Sequence, residues 1–340
     1  MYVSVLLGLF CCLVFLLPLA AAGVAGTGYG PLPTRSQNPL YLQLLALPME
    51  ATHTIPPGRV ETALHTAFSN VFERDATANT VLDLDMEVWR TALIFGYGLG
   101  PRLDVRFELP FVSTSGGGLD GLVQDFHATF NLPNEGRELV PDNQFNYMLS
   151  QNGVTFFDHD TQRFGLADMV VRIKMSVPES TRLPVHLAFA SYLKFPTGRS
   201  SQGLGSGRPD LGFALLAQKF WSRWYVTSEV GVVVLGGHAD ENIDDLLRVG
   251  FVSVGQSVEY RVISGLSVIV QLSGNTAAFK NVEGTFLSGT VVDLSVGVAG
   301  AFGVRPGVKR FFYHVAFTED VRGTGPSVDF SVSLLAGVQW

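Results

Sequence analysis

Charged and histidine side chains recur at every second position in several stretches of this 340-residue sequence. Alternate residues of a β-strand point to the same side, whereas a helix would spread them around its circumference. The spacing therefore predicts strands that each carry one polar face. The residues assigned to this face are Glu61, His65, Asp83, Asp85, Glu87, Asp104, Arg106, Glu108, Arg172, Lys174, His186 and Lys194.

These groups have two chemical uses if their faces enclose a common interior. In a narrow interior the acids and bases would form ion pairs and hydrogen bonds that fill the space. In a wider interior they would stay hydrated and select among passing solutes by charge. The sequence does not fix the diameter, so both uses stay open at this stage.

Hydrolytic chemistry is the enzyme alternative, and the sequence supports it weakly. His65 and Ser69 share one side of a strand, but four residues of strand rise separate them by about 13 Å, too far for a hydrogen bond. The chain contains no G-x-S-x-G motif. The histidines lack the spacing of metal ligands. We therefore expect no enzymatic activity, no cofactor and no metal.

The elements that carry these residues are long. From residue 58 to residue 340 the chain divides into about twelve alternating segments of roughly 10 to 14 residues, the length that spans a bilayer as tilted strands. Long polar connections alternate with short turns. An all-β, transmembrane, antiparallel up-and-down barrel with both termini in the periplasm accounts for this order. Its apolar faces would contact the lipids of a Gram-negative outer membrane.

The last segment, residues 327–340, shows the alternation most clearly. It ends in Trp340, whereas the chain ends of soluble domains are usually polar and frayed. The segment looks like the closing strand of an outer-membrane barrel, and it predicts recognition by the barrel-assembly machinery. A strand of a soluble sandwich is the alternative. The residues on its apolar side are Val328, Phe330, Val332, Leu334, Ala336, Val338 and Trp340.

The N-terminal region divides into two parts. Residues 1–22 are apolar and end in Ala20 and Ala22, which predicts a signal peptide, with an uncleaved membrane anchor as the alternative. Residues 23–57 hold prolines that exclude a regular helix, together with several leucines, so we expect a segment in the periplasm or inside the lumen. Both cysteines lie within the first part, which leaves none in the mature chain.

Two regions are predicted to act as a constriction or gate. One is the N-terminal segment, and the other is a short helix within a long insertion, residues 113–165, expected outside the cell. The residues predicted to form this gate are Arg35, Asn38, Asp120 and Phe126.

The overall composition limits the class of partner. Apolar residues make up 47% of the chain and charged residues 16%, and the formal net charge is −7. Nucleic-acid binding requires a basic surface, which this charge excludes. The apolar fraction suits a barrel that turns much of it toward lipid.

Several short motifs carry a family resemblance. The chain resembles outer-membrane transporter barrels for aromatic and other hydrophobic compounds and, more distantly, the long-chain fatty-acid transporter. Its N-terminal PLPTRSQNPL is similar to the opening of an uncharacterised Gram-negative outer-membrane family. The fatty-acid transporter group carries more strands than we count and an N-terminal plug. The other motifs are FELPF (107–111), GLADMVVRIK (165–174), LKFPTG (193–198) and GLGSGRPDLGFALL (203–216).

The resemblance implies a passive channel or transporter for small hydrophobic or amphiphilic solutes. A plugged barrel with a structural or assembly role is the alternative, and an outer-membrane hydrolase is the weakest of the three. Conductance would separate the first two, because an ion-paired interior passes nothing.

Overall fold

A computed structural model describes residues 28–77, 79–118, 120–130, 139–159, 162–178, 185–282, 285–303, 309–321, 325–326, 328 and 330–340. The predicted signal peptide, residues 1–22, lies outside the described residues. The strands are β1 (Val60–Ala76), β2 (Thr80–Gly100), β3 (Leu103–Ser115), β4 (Asn146–Gln151), β5 (Val154–His159), β6 (Arg163–Leu166), β7 (Met169–Ser176), β8 (His186–Phe195), β9 (Asp210–Trp221), β10 (Trp224–Val234), β11 (Gly250–Ile263), β12 (Leu266–Asn275), β13 (Val291–Phe302), β14 (Arg310–Asp320) and β15 (Phe330–Gln339).

Twelve of the described strands form a closed antiparallel barrel, as the alternation predicted. The ring runs through β1, β2 and β3, continues with β7 to β15, and returns to β1. The closing pair joins β1 to β15 from Glu61 opposite Gln339 to Asn70 opposite Phe330. Closure satisfies the backbone of every edge, which a sheet in hydrocarbon requires.

The two ends of the barrel differ. At the turn end, where Val60 and Trp340 bond to each other's backbone, β9 and β10 are joined by Ser222 and Arg223, and β11 and β12 by a two-residue turn. At the loop end most connections are long, whereas β1 and β2 are joined by three residues and project beyond their neighbours. Strand β4 extends the sheet there by pairing with the outer part of β2, and β5 pairs with β4.

Side chains alternate between the lipid side and the interior as expected. In β15, Val332 and Leu334 are exposed, while Ser331 and Ser333 are buried. The outward apolar positions form a band around the barrel, and polar side chains collect inside. Among the described residues, no helix is both long enough and apolar enough to cross a bilayer.

The side of the wall predicted for the acidic residues in the first part of β2 is wrong. Asp83, Asp85 and Glu87 lie on the outer face, the same face as exposed Trp89, and not in the lumen. Leu84 and its alternate neighbours point inward and are buried. The reason is that this part of β2 projects past the lipid band, where the interior is an apolar core and the outside meets polar loops.

The insertion of residues 113–165 packs partly on the outside of the wall. Its helix, Asp120–Phe130, begins against β1, where the Asp120 carboxylate accepts a hydrogen bond from the Asn70 amide at 3.0 Å. A second short helix, Glu241–Leu246, lies between β10 and β11. Three-residue 3₁₀ turns occur at Tyr41–Gln43, Ser200–Gln202 and Phe286–Ser288.

Candidate functional site: the lumen and its plug

The described part of the N-terminal segment, residues 28–57, occupies the barrel interior, and we call it the plug. It starts at the turn end, where the Tyr29 hydroxyl accepts a hydrogen bond from Gly265 N–H at 3.0 Å. It passes to the loop end, folds back, and rejoins β1 through Gly58 at the turn end. Glycine suits this last position because its φ of 72° is left-handed.

The first leg of the plug bonds to β11, β12 and β14. The Glu259 carboxylate accepts hydrogen bonds from Tyr29 N–H and Gly30 N–H, both at 2.9 Å. The Gln271 amide pairs with the backbone of Leu32 in both directions, at 3.0 and 2.9 Å. Side chains of the wall thus replace the strand partners that this irregular backbone lacks.

The reversal of the plug lies in an apolar core at the loop end. Leu40, Leu44 and Leu45 are at most 3% exposed and pack with the inward residues of β2. The described wall residues of this core include Val71, Leu82, Leu84, Met86, Val88, Val112, Tyr147, Leu149, Leu216 and Val233. The leucines of the N-terminal segment are therefore buried by the barrel itself.

His238, in the loop between β10 and β11, contacts the plug where its chain reverses direction. The His238 Nδ1 accepts a hydrogen bond from Asp240 N–H at 3.0 Å, so Nε2 carries the proton and donates to the Gln43 amide oxygen at 3.2 Å. Burial lowers the pKa of His238 below its usual range, which keeps the ring neutral at pH 7.

The second leg carries Glu50, which meets three cations of the wall. Its carboxylate lies 3.0 Å from Arg172 Nε, 3.0 Å from Lys174 Nζ and 3.4 Å from Arg106 Nη1. The Tyr192 hydroxyl donates to it at 3.0 Å. Buried charges persist when they are paired and hydrogen-bonded, so this Glu50 site joins the plug to β3, β7 and β8.

Two wall acids complete the Glu50 site. Arg106 Nη2 also bonds to Glu61 at 2.6 Å, and Arg172 forms an ion pair with Asp104. The same Asp104 carboxylate accepts a hydrogen bond from Ile55 N–H of the plug at 2.7 Å. The structure thus brings together Glu61, Asp104, Arg106, Arg172 and Lys174 in one ion-paired cluster.

A second ion-paired cluster lies nearer the loop end around Lys194. Its ammonium group lies 3.1 Å from Asp168 and 2.8 Å from Asp210, and it donates to the Gln43 carbonyl oxygen of the plug at 2.6 Å. Asp210 also accepts from Leu45 N–H at 3.0 Å. Lys194 is 1% exposed, so its ammonium charge is compensated by these direct contacts and not by solvent.

The other predicted residues have separate positions. Glu108 pairs with Arg90, and His65 lies buried on the inner face of β1 with its Nε2 unpartnered among the described residues. His186 stacks on Phe220, with ring centroids 5.2 Å apart. None of these three contacts the Glu50 cluster.

The four residues predicted to form a gate lie in different parts of the protein. Arg35 and Asn38 lie in the plug, where Arg35 donates to the Leu44 carbonyl oxygen at 3.2 Å and Asn38 donates to Glu73 at 3.2 Å. The gate assignment of Asp120 is wrong, because this residue lies on the outer side of the wall. The side chain of Phe126 is outside the described part of the structure.

The sequence did not predict Glu50 of the plug. It also did not predict the wall residues Asp168, Asp210 and Arg90, which pair with predicted residues of the lumen. One signal was available for Glu50, which is an isolated carboxylate in an otherwise apolar and proline-rich stretch. Such a group, once enclosed, requires cations or hydrogen-bond donors.

The contacts of Asp120 lead to a test of the insertion. We expect Asp120→Ala to loosen residues 113–165 by about 1–3 kcal/mol, because the Asn70 amide and the Asn143 N–H lose a common acceptor. Limited proteolysis should then cut this region faster while the barrel stays intact. Gln124→Ala, which removes an exposed bond to Asp142, is the control and should change little.

Comparison of the sequence with protein-family models assigns the chain to a family. A family model described as "Protein of unknown function (DUF3187)" matches residues 7–337. The chain belongs to the DUF3187 family. No curated protein sequence matches this DUF3187 member.

Solved structures share the fold at low sequence identity. The COG4313 outer membrane channel from Pseudomonas putida F1 is 15% identical, with 87% of this chain and 100% of that chain covered and a TM-score of 0.57. A NanC porin is 8% identical over 82% and 98% of the two chains, with a TM-score of 0.44. The Ralstonia pickettii toluene transporter TbuX is 10% identical over 84% and 89%, with a TM-score of 0.38. The comparison with the COG4313 structure thus shows that the DUF3187 chain has the β-barrel fold of an outer-membrane channel.

Proposed function

We propose that this barrel is an outer-membrane channel for small hydrophobic or amphiphilic solutes, and that the plug closes it at rest. The loop end faces the outside of the cell, and both termini face the periplasm. The observation that carries the proposal is the path of the plug, which enters and leaves the lumen at one end. Such a segment can withdraw without breaking any strand pairing of the barrel.

The wall left behind by a withdrawn plug suits an amphiphilic solute. Toward the loop end it presents apolar side chains of β2 and β3, including Met86 and Val112. Deeper in the lumen it presents Arg106, Arg172 and Lys174. A twelve-stranded barrel is wider than the eight-stranded barrels that side chains fill, so it can hold such a pathway.

A plugged barrel without transport is the second candidate. The two ion-paired clusters favour it, because Glu50, Gln43 and Leu45 are bonded to buried charges of the wall. This role would require the plug to stay in place throughout the life of the protein.

Conductance across a planar bilayer separates the two candidates. We expect the full chain to be nearly silent and a variant lacking residues 28–48 to give stable current steps. The deletion keeps Glu50 and Ile55, so the wall cations and Asp104 retain their partners. Silence of a folded deletion variant would rule out the channel. Heat-dependent gel mobility and β-sheet circular dichroism establish that the variant is folded.

The helix in the insertion supplies the matched control. Replacing residues 120–130 by a flexible linker of equal length removes the other region that the sequence suggested as a gate. Because Asp120 lies outside the wall, this variant should stay as silent as the full chain.

A further inference from the structure

The carboxylate of Glu50 sits in a site that the wall alone builds. We propose that this site binds an organic monocarboxylate with an apolar tail once the plug withdraws, and that Glu50 occupies it in the closed state. The inference rests on the proposed function, since the site must become free for a solute. It names a substrate class for the same lumen.

The donors are arranged around the two oxygens of one carboxylate. Arg172 Nε and the Tyr192 hydroxyl lie 3.0 Å from Glu50 Oε1. Lys174 Nζ lies 3.0 Å and Arg106 Nη1 lies 3.4 Å from Oε2. All four groups belong to β3, β7 and β8, so the site remains when the plug is gone.

Among the described residues, the Lys174 ammonium group contacts acceptors of the plug and none of the wall. The described ammonium contacts are Glu50 Oε2 at 3.0 Å and the Ala51 carbonyl oxygen at 2.9 Å, and both acceptors belong to the plug. Arg106 and Arg172 differ, because each also has a wall acid. Arg172 Nε and Nη2 are buried and make no hydrogen bond among the described residues, so Arg172 holds Glu50 at 3.0 Å by charge alone. Withdrawal would leave buried donors that attract another carboxylate.

The wall beside these donors is shaped for an apolar chain. Inward glycines of β9 and β10, Gly212 and Gly231, make room for Leu47, whose methyl carbons would lie 2.7 and 2.5 Å from an added Cβ at these positions. Gly255 of β11 makes room for Met49 in the same way, at 2.5 Å. The plug therefore presents a carboxylate together with neighbouring apolar side chains, which is the chemistry of an amphiphilic acid.

A third wall acid, on β10, approaches Glu50 through the backbone of the plug. Glu229 of β10 is 3% exposed and faces the backbone N–H of Glu50. An inorganic anion would satisfy the donors but leave the glycine-lined groove empty, so a carboxylate with a tail fits the whole site.

Chemical rescue of the full chain tests the carboxylate site. Glu50→Ala should lower the melting temperature by about 10 °C, because three cations lose their common partner. Acetate or formate should restore at least half of this loss, whereas chloride at the same ionic strength should not. Equal rescue by all three salts, or by none, would overturn the site.

Another buried acid provides the matched control. Glu259 also binds the plug, but through the backbone N–H groups of Tyr29 and Gly30 and the Ser267 hydroxyl. Glu259→Ala should destabilise the chain without rescue by acetate. Rescue of this variant as well would mean that acetate acts on the barrel as a whole and would count against a specific site.

Octanoate tests the substrate class in an open pore. In the variant that lacks residues 28–48 and carries Glu50→Ala, octanoate should block the current at concentrations at least tenfold lower than octanamide does. Lys174→Met should remove this difference. A conducting pore that treats both compounds alike would sink the substrate class and leave the channel standing. A silent pore would reject the channel, and the acetate result would still decide the site.

Discussion

Gly231→Val is expected to drive the plug from its seat and to give the full-length chain a conductance that it otherwise lacks. A Cβ at position 231 would lie 2.5 Å from Leu47 Cδ1 and 3.1 Å from the Phe213 carbonyl oxygen. The two further carbons of valine extend into the space that Leu47 fills. Because β10 is held on both sides by strand pairing, the plug should move rather than the wall.

The effect should disappear when the plug side chain is shortened. In the double variant Gly231→Val, Leu47→Ala, the space left by the leucine accommodates the valine, and the pore should close again. Gly100→Ala is the control for a strand glycine, since no atom lies within 4 Å of its added Cβ. Single-channel recordings of the three variants test whether displacement of Leu47 opens the pore. A silent Gly231→Val barrel, shown to be folded, would mean that the wall yields instead.

The barrel was predictable because lipid imposes one simple rule on every strand. Val332 and Leu334 face outward and Ser331 and Ser333 inward for the same reason along the whole closing strand. The rule does not hold for residues 80–88 of β2, because this part of the strand lies outside the lipid band. There the interior is the apolar side, so Leu84 turns inward without any change in strand geometry.

The plug contacts could not be predicted in the same way. Glu50 and Arg172 are 122 positions apart, and no periodicity relates an irregular segment to the strands that surround it. The alternation placed Arg172 and Lys174 on an inner face but could not name their partner. The apolar and proline-rich character of residues 23–57 indicated enclosure, whereas the register of the segment depends on individual contacts such as that of Leu47 with Gly231.

Lys194→Met should be the most destabilising single substitution in the lumen. It keeps the length and the apolar stem of the side chain but leaves Asp168 and Asp210 side by side, buried and without their cation. Breaking a buried ion pair by removing one partner costs about 3–5 kcal/mol. Unfolding by guanidinium in lipid vesicles, followed by tryptophan fluorescence, measures the change in the free energy of unfolding.

Two further variants determine whether the loss comes from the unpaired carboxylates. Asp210→Asn in the Lys194→Met background removes one negative charge and keeps one acceptor oxygen for Leu45 N–H or Gly236 N–H, so it should recover part of the stability. Arg74→Met breaks the exposed pair with Asp83 and should cost at most about 1 kcal/mol. If Lys194→Met proved no more costly than Arg74→Met, the cluster would have to be hydrated. The plug would then be held at the loop end by its leucines and by the hydrogen bonds of Asn38 and Gln43.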